Sequence, residues 1–171
     1  MIIRLTKFLF LTDWNHVIEI TGVIKSLGAG NTGVIATRLE KFNPLWKEGE
    51  NWNIPSEKAK IKQVSVGNTT AWGVHPENQK PYMSSDYGKT WQNMAKHGDF
   101  IIAKVAVSGI NDDVVWVLSE TDTENTYRLK GETWETIAGT NQLISCGQPG
   151  VWGVYKQDIY YRAGTRGSRN V

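Results

Sequence analysis

Tryptophan recurs along this chain at a spacing that limits what the chain can fold into. Trp14, Trp52, Trp91 and Trp134 are separated by 38, 39 and 43 residues. After each comes a stretch rich in β-branched residues, usually a glycine, and then another short apolar run. The closest copies are IKQVSVGNTTAWGV, from Ile61 to Val74, and QLISCGQPGVWGV, from Gln142 to Val154. In both, a glycine precedes the tryptophan by five residues, Gly67 before Trp72 and Gly147 before Trp152, and Gly-Val follows. A third copy, KVAVSGINDDVVWVLSE, carries Trp116 in that place behind a longer loop. The first copy, VIKSLGAGNTGVIATRL, carries Ile35 there. Leu27, Val66, Val107 and Cys146 share a second position. One spacing that returns along the chain marks a repeat architecture.

Each unit reads as strands. In QVSVG, Val64 and Val66 point one way while Gln63 and Ser65 point the other, a period of two. Trp72 and Val74 share a face across Gly73, as Trp152 and Val154 do across Gly153. There a glycine should let another sheet approach. The turns GNTT, NDD and GQPG separate the first two strands, and KPYMS, NTYRL and DIYYR supply a third. Units of about 40 residues with several short strands have the period of a propeller blade. The expected fold is therefore all-β, one β-propeller domain over 1–171. Its repeats run over about 14–51, 52–90, 91–133 and 134–165, and 166–171 form a tail. MIIRL resembles DIYYR, so 1–13 is expected to supply a closing strand. Four units either close a small ring or leave an open arc that a second chain completes.

The segment SSDYGKTW, from Ser84 to Trp91, looks like a fastener for one turn. Asp86 can accept hydrogen bonds from backbone amides, Gly88 tolerates a left-handed backbone, and the Thr90 hydroxyl can close the loop. Trp91 should seat in the core with its indole N–H near the turn. The next unit keeps Gly131, Thr133 and Trp134 but has Leu129 where Asp86 stood. That fading suits a fold device better than a catalytic group. A lone aspartate before glycine also lacks the ligand set that calcium needs.

Ser84, Asp86, Gly88, Thr90 and Trp91 resemble the Asp-box hairpin of propeller proteins. VSVGNTTAWGV, ISCGQPGVWGV and DIYYRAG resemble the tectonin repeat. The latter resemblance implies a β-propeller lectin or innate recognition protein associated with bacterial lipopolysaccharide and other glycans. Some intracellular relatives serve in membrane traffic.

Composition closes several other routes. The net charge of +2 in 171 residues points to no polyanionic partner, so nucleic-acid binding is not expected. Arg162, Arg166 and Arg169 are expected on a solvated tail. The longest apolar run near the start, Phe8 to Leu11, is too short to cross a bilayer. Cys146 is the only cysteine, which excludes an intrachain disulfide and a cysteine-cluster zinc site. That fits a cytoplasmic protein and leaves export by an unrecognised route open. Cys146 replaces apolar residues of the other units, so it is expected in buried strand core. The repeating tryptophans are expected to be packing, with Trp46, after Pro44, the one to stand exposed.

His16, His75 and His97 are too scattered for a recognisable metal set, and no cofactor is expected. Asp86, Asp99, Glu120, Asp122 and Glu124 offer no carboxylate pair that the sequence brings together. A sugar site needs an aromatic face with amides or hydroxyls beside it. The candidates are Asn68, Thr69 and Thr70 between strands, His75 and Asn78 after a strand, and Tyr155 with Gln157 in the matching turn of the fourth unit. His75 and Tyr155 occupy paired positions, which permits a repeated, multivalent site. The expected function is glycan or lipopolysaccharide binding without catalysis. A protein-interaction scaffold is the first rival, a homo-oligomer is allowed, and a sialidase-like hydrolase is the remaining alternative.

Overall fold

The structure, a computed structural model, describes residues 22–31, 33–49, 51–54, 59–94, 101–108, 114–120, 125–147 and 150–163. The expected closing strand, Trp14, His16, His97, Asp99, the NDD loop, Asp122, Glu124, Arg166 and Arg169 lie outside the described residues.

Four antiparallel sheets form four propeller blades. The first comprises β1 (Ile24–Gly30), β2 (Gly33–Arg38), β3 (Pro44–Glu48) and β4 (Asn51–Asn53). The second comprises β5 (Gln63–Val66), β6 (Ala71–Val74), β7 (Pro81–Ser84) and β8 (Gln92–Asn93). The third comprises β9 (Ile102–Val107), β10 (Val115–Ser119), β11 (Asn125–Lys130) and β12 (Thr133–Thr140). The described strands of the fourth are β13 (Leu143–Gly147), β14 (Gly150–Tyr155) and β15 (Asp158–Ala163). Strand order follows chain order in every blade, so each is a simple meander of hairpins.

The sequence repeat and the sheet run out of phase. Trp52 lies on β4, Trp134 on β12 and Trp91 directly before β8. Each of these tryptophans therefore belongs to the outer part of the blade that precedes its β-branched run.

The cores lie between blades. Ile35 meets Val64, Val66 and Ile61 at the first joint. Trp72 and Val74 meet Ile102, Val105 and Val107 at the second. Val114 and Trp116 meet Val151, Ile144 and Cys146 at the third. A sheet's two faces thus pack on different neighbours, which is why both alternating sets of a central strand are apolar or small. The first strands also bond across the joints. The Ser26 Oγ accepts the Val64 N–H at 3.1 Å, and the Ser65 Oγ accepts the Val107 N–H at 3.1 Å.

Several expectations change at this level. Gly73 and Gly153 do not admit another sheet. A Cβ on Gly73 would lie 2.4 Å from Ile61, and one on Gly153 would lie 2.0 Å from Asn141, in both cases the segment that leads into the same blade. Trp46 is packed rather than exposed: it pairs with Ile35 across β2 and β3 and joins the first joint. Arg162 is not in the tail. It lies on β15, with its guanidinium 5.7 Å from the Trp116 ring centroid, a cation–π distance. Trp152 differs from Trp72 and Trp116 in standing exposed, because no described blade follows it.

Candidate ligand-binding rims

The hairpins divide the candidate residues between two opposite rims. The β5–β6 turn, with Asn68, Thr69 and Thr70, lies at one end of β6, while the β6–β7 turn, with His75 and Asn78, lies at the other. The β14–β15 turn carries Tyr155 and Gln157 at the rim matching that of His75, two blades away. The seven residues therefore do not form one site.

On the first rim the side chains serve the fold. The Thr70 Oγ accepts the Trp72 indole N–H at 3.1 Å. The Asn68 Oδ1 accepts from Asn31 Nδ2 at 2.7 Å, joining the matching turns of the first two blades. Thr69 is exposed.

The second rim carries an aromatic pair. His75 stacks on Tyr82 with centroids 5.1 Å apart and planes 26° from parallel. The His75 Nδ1 accepts the backbone N–H groups of Glu77 at 3.3 Å and Asn78 at 3.4 Å. An Nδ1 used as an acceptor leaves the proton of the neutral ring on Nε2, which can donate outward. Burial pushes the His75 pKa below its ordinary value, with Glu77 pulling it up and Lys60 pushing it down. The Asn78 Nδ2 donates to the Tyr82 hydroxyl at 3.3 Å, and its Oδ1 accepts the Lys80 N–H at 3.1 Å. Lys60 donates to Glu77, and that contact holds the Glu77 carboxyl below the usual range. Tyr82 and Lys60 were not legible as site residues. Tyr82 faces Gly73 across β6 and β7, a register that becomes visible only with the pairing.

The matching turn of the fourth blade is tighter. Tyr155 pairs with Asp158, so only Lys156 and Gln157 turn the chain, and both have left-handed backbones, φ 48° and 74°. The Lys156 ammonium lies 5.1 Å from the Tyr155 ring centroid. Tyr155 thus faces a cation where His75 faces a second aromatic ring, and the two paired positions are unlike in surroundings.

Asp86 ties its own turn together. It accepts from the Thr90 N–H at 2.9 Å, the Thr90 hydroxyl at 2.6 Å and the Ser84 hydroxyl at 2.8 Å. Burial alone would raise its pKa, but the Thr90 and Ser84 hydrogen bonds prevail and lower it. The Ser84 Oγ accepts the Gly88 N–H at 2.8 Å, and the Trp91 indole donates to the Gly88 carbonyl at 3.0 Å. Gly88 has φ 86°, and a Cβ there would meet Ile35 at 3.0 Å, so the turn is pressed against the first blade. Among the described residues no group of three or more His, Cys, Asp or Glu is placed to hold a metal ion. No helix among them is long and apolar enough to cross a membrane.

Four such sheets, joined in this way, agree with one family profile. The Tectonin domain profile matches residues 23–170. The chain belongs to the tectonin family. That assignment is consistent with a non-catalytic propeller. Comparison with curated proteins finds no match. Among solved structures, the tectonin chain is similar to YCF48 bound to D1 peptide, at 13% identity and TM-score 0.51 over 81% of this chain and 50% of that one. It is similar to the Niastella koreensis GH74 enzyme at 12% identity and TM-score 0.60, over 81% and 22% of the two chains. It is also similar to the CRINKLY WD40 ectodomain of the Arabidopsis thaliana receptor kinase ACR4, at 13% identity and TM-score 0.54 over 80% and 47%. The tectonin chain therefore spans half or less of each of these, and the likeness extends to the fold alone.

Proposed function

We propose that this tectonin chain is a lectin-like protein that binds glycans, in particular sugars of bacterial surface lipopolysaccharide, without catalysing their conversion. The observation that carries this reading is the His75–Tyr82 stack on the second rim. A sugar's C–H face packs on an aromatic ring, and its hydroxyls need donors and acceptors around the edge. The His75 Nε2–H, the Tyr82 hydroxyl and the Glu77 carboxylate supply both kinds. Lys60, exposed beside them, adds a cation for an acidic or phosphorylated sugar. Tyr155 and Gln157 form a second, weaker contact point on the same rim. Asn68, Thr69 and Thr70 lie on the opposite rim, outside this contact.

A protein-interaction scaffold is the second reading. It is favoured by the similar fold of a propeller solved with a bound peptide and by the exposed apolar face around Trp152. A glycan array probed with the labelled chain separates the two. Binding to lipopolysaccharide-type sugars that falls at least tenfold in both His75→Ala and Tyr82→Ala supports the lectin. No carbohydrate signal, with retention of one protein partner, supports the scaffold.

A further inference from the structure

The turn from His75 to Lys80 folds around one side-chain atom. The His75 N–H donates to the Lys80 carbonyl at 3.1 Å, and the Gln79 N–H donates to the His75 carbonyl at 3.1 Å. Pro76 has no N–H. The Lys80 N–H goes to the Asn78 Oδ1 at 3.1 Å. The donors that remain, the N–H groups of Glu77 and Asn78, meet at the His75 Nδ1, at 3.3 and 3.4 Å. Backbone donors need acceptors, and here one imidazole lone pair serves both.

That lone pair exists only while Nδ1 carries no proton. A proton there sets three N–H groups against one another, and the two backbone donors lose their acceptor. Asn78 carries the effect outward. Its backbone N–H is one of those two donors, and its Nδ2 donates to the Tyr82 hydroxyl at 3.3 Å. Tyr82 is the ring on which His75 stacks, with centroids 5.1 Å apart. The turn, the stack and the Tyr82 hydroxyl therefore depend on one protonation state.

The surroundings do not favour the imidazolium. Glu77, beside the ring, is engaged by Lys60 from the segment before β5. On β7 the ring meets the Tyr82 phenol. Toward the third blade, Glu120 is taken by Gln79 and by Lys62, whose Nζ lies 3.7 Å away. Lys80 adds a further cation at the end of the turn. Burial, the largest influence, lowers the His75 pKa from 6.5, and Lys60 acts with it against the pull of Glu77. Neutral His75 thus stabilises the folded turn above pH 6.5. That contribution is lost as pH falls through the folded-state value.

We propose that the His75–Lys80 turn is an acid switch on the sugar-binding rim. Protonation of His75 opens the turn, withdraws Asn78 from Tyr82 and breaks the aromatic stack. A sugar held there at neutral pH is then released on acidification. The release rests on the lectin reading; the opening of the turn does not.

Proton–nitrogen correlation spectra of the whole chain, recorded from about pH 7.5 to about pH 4.5, test both parts. The Glu77 and Asn78 amide signals should move with the His75 ring at one midpoint below 6.5. In His75→Asn, whose side-chain oxygen accepts but does not titrate, the same amides should stay in place. Lipopolysaccharide-derived oligosaccharide, titrated at each pH, should lose affinity about tenfold per pH unit below that midpoint. Turn amides that follow His75 with no oligosaccharide bound at any pH support the switch and count against the lectin. Oligosaccharide bound equally well across the range overturns the switch and spares the lectin. The switch is also overturned by amides that ignore the His75 titration, or by His75→Asn amides that keep the same midpoint.

Discussion

Gln63 on β5 and Val105 on β9 exchange hydrogen bonds in both directions. The Val105 N–H donates to Gln63 Oε1 at 2.8 Å, and Gln63 Nε2 donates to the Val105 carbonyl at 3.0 Å. A side-chain amide here takes the part of a neighbouring strand, which blades cannot supply to each other because they meet face to face. Gln63→Leu leaves a partly buried N–H and C=O without these partners. The expected loss is about 1–3 kcal/mol, read as a lower urea midpoint at unchanged slope. An unchanged midpoint would mean that water replaces the amide at the joint.

Asp86 gathers the Ser84–Trp91 turn through three accepted hydrogen bonds. Asp86→Ala should lower stability by about 1–2 kcal/mol at neutral pH, the partly exposed setting reducing what a charged acceptor contributes. The folded-state pKa lies below the ordinary 3.8. The ionised carboxylate therefore stabilises the fold above pH 3.8, and that contribution is lost as pH falls through the folded value. The stability difference between wild type and Asp86→Asn should shrink over the same acid window. A difference that stays constant there would place the effect outside Asp86's ionisation.

The Lys156–Gln157 turn holds two side chains in the left-handed region, at φ 48° and 74°. Such a conformation costs a non-glycine residue about 1–2 kcal/mol. Gln157→Gly should raise the thermal midpoint by about 2–4 °C. The same variant separates fold from function: stability rises, and any sugar contact made by the Gln157 amide disappears.

Cys146 faces Trp116 at the third joint, and burial pushes its thiol pKa up to about 12. At pH 8 the thiolate is then scarce, and the thiol should react with a disulfide reagent at least tenfold more slowly than in urea-unfolded protein. Equal rates would show that the joint opens readily.

The strands and their period were legible because alternation and turn chemistry are local. Val64, Val66 and the third-strand segments fall where their residues point, and the hydrogen-bonding scheme around Asp86 followed from residue types within one eight-residue segment. What the sequence hid depends on partners distant in the chain. The close neighbour of Gly73 is Ile61 because the incoming segment, not a second sheet, lies under that face. Trp46 is packed because β2 brings Ile35 beside it. Trp152 looks like Trp72 in its local sequence, and it stands exposed because no described blade packs on its face. The candidate site suffered in the same way. Asn68 and His75 are seven residues apart, yet β6 carries the chain from one rim to the other between them. His75 and Tyr155 match in the repeat, but a loop from His75 to Lys80 and a two-residue turn surround them differently.

The most direct measurement is a backbone-amide NMR titration of the chain with lipopolysaccharide-derived oligosaccharide. Shifts concentrated at His75, Glu77, Asn78 and Tyr82, with a weaker set at Tyr155 and Gln157, are the predicted result. Absence of saturable shifts, or shifts confined to Asn68–Thr70 on the opposite rim, would contradict it.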